Sequence, residues 1–417
     1  MIHRAPLRYF KASIICGVLA FLVSVGLFEL GIFRGLDAAL ASFVGQPSPP
    51  VIGRVLQYAL MLAGSFGIAW TTIDIGRMSL KCAVALVALA ECAAAVCVVV
   101  LFDGYFSPFA PALAIALAFA IALIYSQSAP GRRKQEIYRL LGDRVSAQTF
   151  HALLDCDVPL RFEGELREAS MVVCEVFNHD ALVAALPVSD YVAMTNSFLR
   201  NSAEILVQQG GYLDECGECV RGIFGAPLSD AHHAQRACEV ALALVDRLDA
   251  VNHECQQVWA QTFDYRIAVN SGELVIAARL GTLSVAGEPV EFARRLCAAN
   301  LVYGSRIAMG SDAFNAAEGT VEVRPLEIVQ RSADAAHREE IYELLGLPGL
   351  PDMAQQRREF FWKGVIFFRG QRWEEALAHF SSAQELAGSD GPCEFYIRRI
   401  EELRAGQPSP GWSSARL

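Results

Sequence analysis

The chain has 417 residues, a net charge of −10 and 53% hydrophobic residues. That length allows two or three domains, and so apolar a composition excludes an ordinary soluble protein. The acidic balance, with no basic stripe in the polar part, also excludes a nucleic-acid binder.

The apolar excess lies before residue 130, in stretches 12–33, 55–75, 82–102 and 108–125. Each approaches the roughly 20 helical residues that cross a hydrocarbon core, so four transmembrane helices in a lipid bilayer are predicted. Arg4, Arg8 and Lys11 precede the first span, Arg77 and Lys81 separate the second from the third, and Arg132, Arg133 and Lys134 follow the fourth. Positive charge marks the cytoplasmic side, which places both termini there and a short Pro-rich loop, 34–54, outside. An Ala-x-Ala site at Ala39 and Ala41 follows too long an apolar run, with Arg34 and Asp37 between, to mark a cleaved leader. Glu91 falls mid-span, with Glu29 and Asp74 nearer the ends. An ionisable group in hydrocarbon needs a partner: either a Ser or Thr on a neighbouring helix, or a proton or small ligand that Glu91 senses. The 12 cysteines form no periodic framework, which reads as reduced thiols, most of them small buried hydrophobes.

After the spans, Ala129-Pro130-Gly131 is a predicted helix break, and 136–154 a predicted amphipathic linker, apolar at Ile137, Leu140, Leu141 and Val145. From Ser170 short β-type runs alternate with helices. They are strand 171–176, helix 190–209, hairpin 212–224, helix 230–254, strands 263–269 and 273–278, helix 288–299, and strands 306–309 and 321–330. Two strand-helix-strand halves predict an α+β, ferredoxin-like domain with a mostly antiparallel sheet. The tail, 355–405, is predicted helical, and 364–383 has the spacing of one tetratricopeptide-like helix pair. One pair cannot bury its own face, so it docks on its own domain or offers a partner surface. Cys216-Gly217-Glu218-Cys219 invites a zinc or redox reading, but no second ligand pair at metal spacing follows it.

Motifs then occur in a fixed order: Arg167-Glu168-Ala169-Ser170-Met171-Val172-Val173, Gly210-Gly211-Tyr212-Leu213-Asp214, Phe224-Gly225-Ala226-Pro227, Ala268-Val269-Asn270-Ser271-Gly272-Glu273 and Gly287-Glu288-Pro289-Val290. In that order, 169–345 resembles the catalytic domain of class III nucleotide cyclases. The matches are to its first strand, its hairpin entry and exit, its Asn-Thr-Gly-Glu strand end and the segment bearing its catalytic Asn and Arg. Arg144-Val145-Ser146 with Leu153-Leu154 is similar to the linker of bacterial membrane cyclases, and 373–383 with Gly391-Pro392 and Trp412 to the tail that some of them carry. Those relatives have a large external sensor between the first two spans, where this chain has only 34–54.

The resemblance implies a dimer with active sites at the interface. In the family two Asp hold two metal ions, a Lys and a partner residue read the purine, and an Asn and an Arg steady ribose and triphosphate while the 3′-hydroxyl attacks the α-phosphate. In this chain Glu175 takes the first metal position and Glu218 the second, in a hairpin one residue shorter than the usual pattern. Glu215 takes the place of the purine-reading Lys, and Ser284 that of its partner, in a shortened loop. Glu291 takes the place of the catalytic Asn and Arg295 that of the catalytic Arg. Acid in place of Lys and of Asn opposes a polyanionic ligand, since like charges ~4 Å apart repel by about 4 kcal/mol at an effective dielectric of ~20. ATP or GTP binding is therefore disfavoured, and Mg²⁺, with its tight octahedral demands, suits two Glu less well than Mn²⁺.

The expected organisation is a four-span anchor (1–129), a linker helix (130–165), a cyclase-like domain (166–346) and a helical tail (347–417) in a bacterial inner membrane. The expected function is that of a pseudo-cyclase in cyclic-nucleotide signalling, without a cofactor, acting as a homodimer or with another cyclase-type domain. Two alternatives stand beside it: an active adenylate or guanylate cyclase with Mg²⁺ or Mn²⁺ on Glu175 and Glu218, and a membrane scaffold working through its tail.

Overall fold

A computed structural model describes residues 7–43, 53–101, 105–156, 163–217, 219–279, 282–331, 338–406 and 415–416. The chain divides into two compact units, one of residues 1–142 and 150–158, the other of 143–149 and 159–417.

The first unit is built from α1 (Leu7–Glu29), α2 (Arg34–Phe43), α3 (Arg54–Asp74), α4 (Met78–Val100), α5 (Phe109–Ser126) and α6 (Ala129–Leu141). Four of these are long and apolar enough to cross a membrane, over Tyr9–Glu29, Arg54–Asp74, Met78–Val100 and Phe109–Ser126. Small residues set their packing. A Cβ at Gly17 of α1 would lie 2.9 Å from the Phe66 Cα of α3, so the two backbones meet there. On α5 Ala110, Ala114, Ala118 and Ala122 recur every fourth residue, all fully buried, as a stripe that lets neighbouring helices approach closely.

Several expectations are corrected in this unit. The first span ends at Glu29 rather than Phe33, because Gly31 turns the chain with φ +72°. The stretch read as an external loop carries α2, held by Asp37, which accepts hydrogen bonds from Tyr105 at 3.0 Å and Ser107 at 3.1 Å. The helix break expected at Ala129-Pro130-Gly131 falls at Gln127 and Ser128, and Ala129-Pro130-Gly131 starts α6, since proline in a first turn gives up no hydrogen bond. The linker is two helices, α6 and α7 (Ala147–Asp155), parted at Gly142 with φ +48°. Asp74 does find a partner, Lys134 Nζ at 2.8 Å. Glu91 lies on an exposed face of α4 and meets no Ser or Thr among the described residues. Phe102, the expected end of the third span, lies outside the described residues.

The second unit continues with β1 (Glu163–Val176), α8 (His179–Ala185), α9 (Val188–Gln208), β2 (Tyr212–Cys216), β3 (Cys219–Phe224), α10 (His233–Trp259), β4 (Tyr265–Arg279) and β5 (Thr282–Ala286). Then come α11 (Glu288–Tyr303), β6 (Ile307–Met309), α12 (Ser311–Ala316), β7 (Glu322–Gln330) and β8 (Arg338–Gly346). The tail adds α13 (Asp352–Arg369), α14 (Trp373–Ala387), α15 (Gly391–Arg404) and β9 (Ala415–Arg416). The strand order is β2-β3-β1-β4-β6-β8-β7-β9, with β5 paired to β4. Only β4–β6 and β7–β9 pair in parallel among the described strands, so the expected mostly antiparallel sheet is present. One face, including Val172, Cys174, Val220 and Val269, packs on Phe198 and Leu206 of α9 and Leu244 of α10.

Two strands expected at 263–269 and 273–278 are one continuous β4. The intervening Asn270 and Ser271, part of the motif matched to a strand end, are buried with partners: Asn270 Nδ2 donates to Pro289 O at 3.0 Å and Ser271 Oγ lies 2.5 Å from Ser170 Oγ. In the tail, α15 supplies the cover that a single helix pair lacks, so that Phe361, Phe380 and Tyr396 share one core. The bundle docks on its own domain: Tyr396 donates to Leu326 O and Arg399 pairs with Glu327 at 3.1 Å. Trp412 lies outside the described residues.

Candidate functional site

The register of β1 fixes the site. Glu175 stands opposite Cys219 of β3 and Arg266 of β4, and cross-strand partners share a face. Above that face α11 brings Cys297, whose thiol donates to Arg266 O at 3.2 Å. Burial, and then the Glu175 carboxylate, push the Cys297 thiol upward. Burial and the neighbouring Glu215 push Cys219 up to about 12. The half-buried Glu175 thus has neutral thiols among its described neighbours.

The β2–β3 hairpin contributes an ion-paired cluster. Leu213 pairs with Gly222 and Glu215 with Arg221, leaving Asp214 as the extra residue of a bulge. A bulge sets two residues against one, and here both acids converge on Arg221. Its Nη1 lies 3.1 Å from Glu215 Oε2, and its Nε donates to Asp214 Oδ2 at 2.6 Å. Arg144 adds a hydrogen bond to Asp214 O at 2.9 Å. Burial raises the Asp214 carboxyl while Arg221 opposes the shift. Tyr212 donates to Leu283 O at 2.6 Å, which ties this hairpin to β5, where Ser284 stands opposite Ala277.

On α11 Glu291 is exposed in the first turn, where the helix dipole favours an acid. Arg295, one turn on, leans over the Phe292 ring at 5.3 Å and reaches Glu288 at 3.7 Å. Glu288 is held more closely by Arg331, at 2.8 Å. Glu218 lies outside the described residues. Cys216 is exposed and Cys219 buried.

The sequence reading missed Arg221, Cys297 and Arg331. Arg221 had a signal: a basic residue on a short hairpin facing two acids across the turn. Cys297 and Arg331 had none, since each reaches the site only through packing of α11.

Hard divalent ions take clustered oxygen ligands. Among the described residues no group of three or more His, Cys, Asp and Glu is arranged to hold an ion, and the thiols around Glu175 are poor ligands for Mg²⁺. The described donor set does not fit that metal.

No family model matches the chain. It is 24% identical over 187 residues to Adenylate cyclase 1 of Rhizobium meliloti, covering 43% of this chain and 28% of that protein. The α/β domain is similar to class III nucleotide cyclases. This cyclase-like domain is also 27% identical over 199 residues to an uncharacterised protein of Mycobacterium tuberculosis, covering 46% of this chain and 33% of that one. The match thus spans about a third of the length of these curated relatives. Solved structures similar to the cyclase-like domain include the adenylyl cyclase CyaB from P. aeruginosa, at 18% identity and TM-score 0.40, covering 44% of this chain and 96% of that one. Another is a dimeric guanylyl cyclase domain from Blastocladiella emersonii, at 18% identity and TM-score 0.38, covering 45% of this chain and 100% of that one.

Proposed function

We propose that this chain is a membrane-anchored, nucleotide-cyclase-like signalling protein with an eroded catalytic site, a pseudo-cyclase. Its cyclase-like domain pairs with a second copy or with an intact cyclase-type partner. The anchor, up to about residue 129, crosses a bacterial inner membrane, and the linker, domain and tail, divided near residues 165 and 346, lie in the cytoplasm with both termini. The observation that carries this reading is the Glu215–Arg221 pair. The position that would read the purine holds an acid, and that acid is already engaged within its own hairpin. Glu291, Ser284 and Arg295 are then remnants of a nucleotide site, and Glu175 and Glu218 remnants of a metal site.

The rival reading, an active cyclase with Mg²⁺ or Mn²⁺ on Glu175 and Glu218, draws on the similarity to Adenylate cyclase 1. The full chain in nanodiscs, given ATP or GTP with either metal, separates the two. Little or no cyclic nucleotide is expected. Turnover at ordinary cyclase rates, abolished by Glu175→Ala, would establish the rival.

A further inference from the structure

Where α1 gives way to α2, the first unit holds a cavity of about 530 Å³. Phe28 and Phe33 form its apolar side, Glu29, Arg34 and Arg54 carry charge around it, and Gln57 is buried in its wall. Most acceptors here have donors. Asp37 takes hydrogen bonds from Tyr105 and Ser107, and Glu29 takes one from Tyr58 and lies 3.6 Å from Arg54. Gln57 differs. It is 2% exposed, donates from Nε2 to Ser107 O at 2.6 Å, and its Oε1 accepts from nothing among the described residues. A buried acceptor without a donor is destabilising, and native structures retain few of them. Such an acceptor in a cavity wall calls for a donor from outside the described residues, and the cavity beside it has room for one that a ligand brings.

We propose that this cavity binds a small zwitterion, an ammonium group a few bonds from an anion. The ammonium donates to Gln57 Oε1, with the Glu29 and Asp37 carboxylates nearby to balance its charge. The carboxylate or phosphate meets the guanidinium groups of Arg34 and Arg54, whose planar forks suit such anions. The intervening methylenes lie on Phe28 and Phe33. Gly31 helps to place Arg34: with φ +72° it leaves room for that side chain, and a Cβ there would lie 2.5 Å from Arg34 Nε. The same chemistry is offered by a free amino compound and by the ethanolamine-phosphate head of a membrane lipid.

The full chain in detergent micelles is titrated calorimetrically with glycerophosphoethanolamine, glycerophosphocholine and glycerol 3-phosphate. The ethanolamine compound is expected to bind at least about tenfold more tightly than the choline compound, which has no N–H, or the phosphate, which has no ammonium, as the loss of one charge-assisted hydrogen bond implies. Gln57→Leu and the exposed Arg34→Gln should each weaken it by a similar factor. Native mass spectrometry of protein extracted from ethanolamine-lipid vesicles tests the other source. Retained ethanolamine lipid, lost in Arg34→Gln, assigns a lipid head; binding of the soluble compound without retained lipid assigns a free solute. Equal affinity for the three compounds, unchanged binding in Arg34→Gln, or neither soluble binding nor retained lipid overturns the proposal.

Discussion

The guanidinium of Arg324 and the carboxylate of Asp390 form two parallel hydrogen bonds, Nη1 to Oδ2 at 2.7 Å and Nη2 to Oδ1 at 2.8 Å. Arg324 belongs to β7 of the cyclase-like domain and Asp390 immediately precedes α15 of the tail. Arg324 also donates from Nε to Glu343 at 2.6 Å and lies 4.5 Å over Phe361. Its side chain is 4% exposed, so one buried cation holds two buried carboxylates and joins tail to domain. Removing one partner of such a set costs about 3–5 kcal/mol. Arg324→Met is expected to destabilise the unit by that order and to open α13–α15 to limited proteolysis. Unchanged melting and cleavage would show that the tail is held by other means.

Two titrations should separate in acid. Burial works to raise the Asp390 carboxyl, but the hydrogen bonds and charge of Arg324 outweigh it and hold the group below its ordinary range. Its contribution is therefore present above the unfolded carboxyl pKa of about 3.9 and is lost as pH falls through the lower folded value. His233 titrates earlier. Burial lowers its pKa against the opposing charges of Glu168 and Asp230, and Ser170 Oγ lies 2.7 Å from Nδ1. The folded state thus resists a proton that the unfolded chain accepts, so stability falls as pH drops below about 6.5. Melting curves of the full chain from pH 7 to 5 should show this loss, and His233→Gln should flatten it. A slope that survives the substitution would assign it elsewhere.

Much of this architecture was legible in the sequence, and the reasons for the rest are local. Helices such as α9 and α10 declare themselves by apolar spacing over many turns, and the α5 alanines fill a span. The start of β1, with Glu163 and Glu165, is too polar to read as a strand and is fixed by pairing with β4. Asn270 and Ser271 interrupt the apolar pattern between the two predicted strands because their buried partners lie far away in sequence. At the candidate site, the motif order nominates Glu175, Glu215 and Arg295, but not the bulge at Asp214 or the neighbours that engage them. Those depend on register, which a one-residue shift would reverse.

The Arg221 cluster predicts coupling between residues. Arg221→Leu leaves Asp214, whose side chain is 6% exposed, as a buried carboxylate without its cation, a loss of roughly 3 kcal/mol. Glu215→Lys sets a second cation against Arg221 and should also destabilise the domain, since like charges at such distances repel by up to about 4 kcal/mol. Combined, Lys at 215 faces no arginine and lies beside Asp214. The double variant should therefore be more stable than the sum of the singles predicts, by at least about 1 kcal/mol in a denaturation cycle. Simple additivity would mean that Glu215 and Arg221 do not interact. On the proposed pseudo-cyclase reading, the combined Glu175→Asp, Glu218→Asp, Glu215→Lys and Glu291→Asn variant should give no turnover until Arg221→Leu is added.

Glu91 makes the last prediction. On α4, Leu80, Val84, Val87, Glu91, Ala94 and Val98 recur at alternating intervals of four and three, and all but the half-buried Val84 are exposed. That spacing is a coiled-coil seam, and Glu91 stands at its middle, in a span that buries only Lys81, Ala85 and Val96 within this chain. On the proposed reading of a membrane-anchored dimer, a carboxyl at such depth is costly unless hydrogen-bonded, and α4 of a second copy is its expected partner. Interhelical hydrogen bonds of this kind contribute about 0.6 and at most about 1.7 kcal/mol, so Glu91→Leu should weaken self-association in detergent or nanodiscs by roughly three- to twentyfold. Glu91→Gln, which keeps donor and acceptor, should retain it. Sedimentation of the full chain reads both. Equal dimer fractions in the wild-type and Glu91→Leu proteins would remove Glu91 from the interface, and loss in Glu91→Gln as well would show that a shared proton, rather than any hydrogen bond, holds the two helices together.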